Sequence, residues 1–135
     1  MTTQDKIVSK SGFLTVTLNQ DPSYLFFKWE NFGISLKDCQ DAFAQAEKVL
    51  VDRGLHCIVS DVVDVKQELR PEVAQWWGEV CMPSLAQCGV KLIVNLLPAA
   101  VGGQPSDESG PTVMGGIVMQ KAFSVKEAEA LVRSF

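Results

Sequence analysis

Between Tyr24 and Pro98 the hydrophobic positions switch repeatedly between a period of two and a period near three and a half. Tyr24 to Glu30 alternates, with Leu25, Phe27 and Trp29 on one face and Phe26, Lys28 and Glu30 on the other, which predicts a half-buried strand. Phe13 to Leu18 alternates in the same way. The turn formers Asn19-Gln20-Asp21-Pro22-Ser23 join the two runs into an antiparallel hairpin. Ile7 and Val8 either extend the first strand across Gly12 or fray.

Next, Leu36, Cys39, Phe43, Ala46 and Leu50 recur at spacings of three and four, one apolar stripe on a helix. Ser35 and Asp38 stand at capping-box spacing before it and Gly54 stops it, so the helix is expected over 35–53. Leu55 to Val59 is a short unbroken apolar run, as a strand buried on both faces requires. His56 inside it reads as a hydrogen-bonded core histidine. Pro71 suits a first helical turn. Val73, Trp77, Cys81, Leu85 and Cys88 supply the buried stripe of a helix over 71–88. Pro83 falls within that helix and is expected to kink it by removing the bond to the carbonyl of Glu79. Gly89 ends it, and VKLIVNLL from Val90 to Leu97 is the next strand. Crossovers of this length place the strands at Tyr24, Leu55 and Val90 parallel to one another.

The late part of the chain is less regular. Ala99 to Gly116 is rich in glycine, and Gly102 to Pro111 reads as a polar loop. Val113, Met114, Ile117 and Val118 have spacings that suit a short helix, weakened by Gly115 and Gly116. Met119 to Phe123 is expected as a last edge strand. Ser124 and Glu127 cap a closing helix over 125–134. The fold class is therefore α/β, a mixed sheet of four or five strands with covering helices, and 135 residues make one domain.

Composition narrows the function classes. A net charge of −4, with the basic residues scattered, argues against a nucleic-acid partner. The longest apolar run, Val90 to Val101, is broken by Lys91, Asn95 and Pro98, so membrane insertion is not expected. MTTQDKIVSK lacks the apolar segment of a signal peptide, and the expected compartment is the cytoplasm. The cysteines Cys39, Cys57, Cys81 and Cys88 form no CxxC pair and the chain has one histidine, so reduced, buried thiols are expected, with no metal, disulfide or cofactor.

Candidate chemistry is sparse. Asp61 and Asp64 follow the central strand at its carboxyl end, where open α/β sheets bind ligands. Such a pair can do acid–base work or hold a divalent cation, but with no third ligand or base nearby in sequence the turn reading takes precedence. Gly102-Gly103 lacks the surrounding pattern of a phosphate loop. Of the adjacent Trp76 and Trp77, only one can be central in the core, since neighbours on a helix point about 100° apart. The other is expected at the helix edge, either snorkelling its indole or covering a ligand or a partner.

The order of elements and several local motifs resemble the STAS/SpoIIAA-like superfamily, and within it the small bacterial STAS-like proteins. The motifs are the aromatic-rich strand LFFKWENFGIS leading into the first helix, the aspartate-ended strand IVSD, and RPEVAQWW followed by MPSLAQCGVK. The proline-ended strand LIVNLLP and the closing KAFSVKEAEALV complete the set. The resemblance covers nearly the whole chain and implies a SpoIIAA-like fold and a non-enzymatic regulatory or protein-interaction module. It also lends an alternative: a small-molecule site, for a nucleotide or a lipid, between the carboxyl ends of the central strands and the Ala99–Gly116 loop. Phosphorylated members carry a serine at the start of the helix after the aspartate-ended strand. Here DVVDVKQELR, residues 61–70, has no serine or threonine, so no phosphoswitch is implied. The residues expected to meet a ligand or an unidentified protein partner are Asp61, Asp64, Trp76, Val113, Met114 and Ile117. The cluster Val113, Met114, Ile117 and Val118 is either a homodimer contact or a fourth helix packed on its own sheet.

Overall fold

The structure, a computed structural model, describes residues 6–10, 12–20, 23–31, 33, 35–63, 65, 70–97 and 112–135. Its strands are β1 (Lys6–Lys10), β2 (Leu14–Gln20), β3 (Ser23–Trp29), β4 (Cys57–Asp61), β5 (Leu92–Leu96), β6 (Thr112–Met114) and β7 (Ile117–Ala122). They form a seven-stranded sheet in the order β1-β2-β3-β4-β5-β7-β6. The centre, β3-β4-β5-β7, is parallel, and the antiparallel pairs β1-β2-β3 and β6-β7 flank it. The sheet is therefore mixed and α/β, with the strands at Tyr24, Leu55 and Val90 adjacent and parallel as their crossovers require.

Four helical segments cover it. Helix α1 (Leu36–Arg53) has Ser35 at its N-cap, where the hydroxyl accepts from the Asp38 amide at 3.1 Å. Gly54 closes it at φ 63°, a left-handed conformation in which an added side chain is strained. Helices α2 (Pro71–Trp76) and α3 (Met82–Gln87) are joined end to end by a π-helical turn over Trp77–Cys81. Helix α4 (Val125–Ser134) starts at Ser124, whose hydroxyl accepts from the Glu127 amide.

The core lies on both faces of the sheet. On one, Leu14, Val16, Leu25, Phe27, Ile58, Ile93 and Ile117 pack against α1 and the rod of α2, π turn and α3. On the other, Tyr24, Cys57, Val59, Leu92, Val94, Leu96 and Ala122 meet Ala128 and Val132 of α4. Burial on both sides explains why β4 and β5 read as continuous apolar runs.

Four expectations are corrected. The sheet has seven strands instead of four or five: Lys6–Lys10 pairs with β2 as a strand of its own, and the late segment supplies two more. Val113, Met114, Ile117 and Val118 form a β-hairpin, β6–β7, in place of a short helix. Gly115 and Gly116 have φ of 61° and 88°, the two positive values that a tight type I′ turn requires. The pair that weakened a helix in the sequence is thus the hairpin's own signature. The third correction follows from it: the edge strand expected at Met119 to Phe123 falls in β7, which is interior, between β5 and β6.

Pro83, expected to kink the helix over 71–88, sits directly after the π turn, where the Met82 amide donates five residues back to the Trp77 carbonyl, so the ladder widens just ahead of the residue that has no N–H. The fourth correction is His56, which is exposed rather than core. It lies just before β4 with Nδ1 2.9 Å from the Gly89 carbonyl, a bond that requires the proton on Nδ1. The Lys91 amide donates to the His56 carbonyl in return, at 2.8 Å, so the histidine tethers the entry to β5.

Candidate functional site

Three parallel strands end side by side under the helix-covered face. Trp29 is the last residue of β3, Ser60 the penultimate residue of β4, and Asn95 the penultimate residue of β5. Ser60 and Asn95 are direct register partners, so both side chains leave the same face of the sheet on neighbouring strands. The Trp29 indole donates Nε1–H to the Ser60 hydroxyl at 3.2 Å. Above them stand Cys39 from the first turn of α1, Val73 from the first turn of α2 and Trp77, which opens the π turn. With Val62 and Met119 these residues line a cavity of about 170 Å³.

Its position is the one expected from the fold class, at the carboxyl ends of the central strands. Its wall is apolar and aromatic, and π turns recur at functional sites. Phe43 stands behind the wall as a hub, with ring centroids 5.0 Å from Phe27, 6.4 Å from Trp29, 5.8 Å from Trp76 and 5.2 Å from Trp77. Both adjacent tryptophans are half-buried and both meet Phe43 edge-on. They straddle the junction where the α-helix widens into the π turn.

Asp61 belongs to the same sheet edge but not to the cavity. Being one residue beyond Ser60, it leaves the opposite face, where it pairs with Lys28 at 3.4 Å. Its other oxygen accepts from the Val63 amide at 3.0 Å, an Asx turn that supports the structural reading. Asp64 lies outside the described residues. Trp76 backs the cavity through Phe43, while Trp77 lines it. Ile117 is fully buried in the core, Val113 is 67% exposed on the edge strand β6, and Met114 ends that strand. The expected site residues are thus distributed over two faces and one edge.

None of the eight described lining residues was among the expected site residues: the sequence reading missed Trp29, Cys39, Ser60, Val62, Val73, Trp77, Asn95 and Met119 as cavity residues. Two of them left a signal. Ser60 in CIVSD and Asn95 in LIVNL are polar residues at positions whose period-two neighbours Ile58 and Ile93 are core. A hydrogen-bonding side chain on a buried face usually has a reason to be there.

No carboxylate, lysine, arginine or histidine is among the described lining residues. The one ionisable group in the wall is Cys39, whose thiol burial pushes up from 9.0 to about 11. At neutral pH it is a protonated, poor nucleophile. Cys81, deeper in the same face, is raised further by burial, then by the Glu47 carboxylate and the neighbouring Cys39 and Cys88. All four cysteines are free thiols. Among the described residues no three His, Cys, Asp or Glu side chains gather as a metal site needs.

The raised thiols make a pH prediction. Above about pH 9 the unfolded chain releases thiol protons that the native state retains, so stability is full below that point and declines as pH rises towards the native values. Denaturant unfolding at increasing alkaline pH should show that decline, and the double variant Cys39→Ala, Cys81→Ala should flatten it. In the native state at neutral pH a thiol reagent should reach the half-buried Cys88 first.

No protein-family model, curated protein or solved structure matches this chain. No helix among the described residues is long and apolar enough to cross a membrane.

Proposed function

We propose that this chain is a non-enzymatic module of the STAS-like, SpoIIAA-like type that works by holding a small molecule at the ends of its central strands. The observation that carries this is the cavity bounded by Trp29, Ser60, Trp77 and Asn95, with hydrogen-bonding groups at its base, apolar walls above, and no charged group or activated nucleophile among the described lining residues. Ligand sites of open α/β sheets lie in this place, and a mostly apolar concavity with a few polar groups is their usual composition. The order of a hairpin, two helix-linked parallel strands and a closing capped helix supports the STAS-like reading. A regulatory role follows from binding without turnover.

The Ala99–Pro111 side of the pocket expected for a nucleotide or a lipid lies outside the described residues, and the described lining favours a smaller ligand. Pockets for drug-sized ligands run about 300–1,000 Å³, and this one is about 170 Å³. Protein docking, with a second copy or another partner, keeps one observation in its favour: the exposed Val113 on edge strand β6.

A thermal-shift screen over small uncharged aromatics, nucleotides and lipids tests the proposal, since a ligand selective for the native state raises the melting temperature. At least one small compound is expected to stabilise the wild type and to lose its effect in Val62→Trp, which fills the cavity from a half-buried wall position. Stabilisation that survives in Val62→Trp would place binding elsewhere and overturn the assignment.

A further inference from the structure

We infer that the cavity selects an uncharged single-ring aromatic carboxamide or lactam, an inference that rests on the binding role proposed above. Volume sets the scale. A cavity of about 150 Å³ is known to hold one benzene, so about 170 Å³ accommodates one ring with a small substituent. The walls choose the ring. Trp29 and Trp77 offer indole surfaces for stacked or edge-on contact, and Met119 adds a thioether, which packs favourably on aromatic edges.

The substituent follows from the two polar side chains. The Ser60 hydroxyl oxygen accepts from Trp29, which leaves its own O–H to donate. The Asn95 amide makes no side-chain hydrogen bond among the described residues, and it has both donor and acceptor capacity. Paired in register on neighbouring strands, the two present a donor beside a donor–acceptor pair. A carboxamide or lactam edge, with C=O next to N–H, meets both at once. A phenol satisfies only part of this set and an alkyl group none of it.

The described wall also disfavours a charged ligand. With no cation among the described lining residues, a carboxylate taken into the cavity would lose its hydration without a counter-charge, and with no carboxylate there an ammonium fares no better. Neutral amides are therefore favoured over the acids of the same shape.

Tryptophan fluorescence gives the test, because all three tryptophans of the chain contact Phe43 or line the cavity. The probes are benzamide, benzoate and toluene, titrated against the wild type and Asn95→Leu, which keeps the side-chain volume and removes the amide. Benzamide is expected to give a saturable change in wild type, with benzoate at least about tenfold weaker for want of a cation. Asn95→Leu should weaken benzamide by about tenfold, the scale of a lost buried hydrogen bond, while toluene binds undiminished. Benzoate binding as tightly as benzamide, or benzamide binding equally to both proteins, would overturn the amide selectivity and leave the cavity's binding role standing. Silence from all three probes in the folded wild type would instead remove the binding role itself.

Discussion

Replacing Ile117 by aspartate abolishes cooperative folding. Ile117 has no exposed surface, and it packs in the core between the sheet and the helices α1 to α3. Removing the isoleucine costs about 2–5 kcal/mol in lost burial and cavity formation. Burying a carboxylate in its place, with no buried polar or charged side chain among the described residues to receive it, adds several kcal/mol more. Domains of this size are stable by only about 5–15 kcal/mol, so the sum reaches the whole margin. Far-ultraviolet circular dichroism with a thermal melt reads the outcome. A cooperative transition within a few degrees of wild type would show that β7 is not core. Val113→Asp on the same hairpin is the control: at 67% exposed it should change stability by no more than about 0.5 kcal/mol. Light scattering on that control also tests the docking alternative, because a dimer built through edge strand β6 would dissociate.

The second large effect falls on the aromatic hub. Phe43 is 2% exposed and meets Phe27, Trp29, Trp76 and Trp77. Phe43→Ala should cost about 3–5 kcal/mol, towards the upper end because aromatic pairs add about 0.5–1.5 kcal/mol beyond their buried area. Every tryptophan in the chain loses a neighbour at once, so emission should shift to the red in the still-folded protein. The walls Trp29 and Trp77 also lose their backing, and ligand affinity should fall with stability. Equilibrium denaturation followed by tryptophan emission measures both quantities. An unchanged native spectrum with a stability loss under about 1 kcal/mol would mean that the four ring contacts are not made in solution.

These two positions also mark how far the sequence could be read. Phe43 was legible. It lies on a stripe with Leu36, Cys39, Ala46 and Leu50 between a serine cap and a left-handed glycine, and all of these are local signals that report burial directly. The same locality determined α1, α4, the β2–β3 hairpin and the parallel succession β3-β4-β5, because each element carries its own period and its own stops. Ile117 was legible only as apolar. A short apolar run beside a Gly-Gly pair is compatible with a helix or a hairpin. The choice was made by β5, which offers an edge that β7 pairs along its length.

The site depended on tertiary structure more heavily still. Trp29, Ser60 and Asn95 are far apart in the chain and share a cavity only because β3, β4 and β5 run parallel in a register that aligns Phe27 with Ser60 and Ser60 with Asn95. A shift of one residue would have turned Asp61 into the cavity and Ser60 out of it. By itself the sequence determined which segments are strands and helices at the centre. Register and the pairing of β7 with β5 were decided by the tertiary structure, since each is a relation between segments that no single segment encodes.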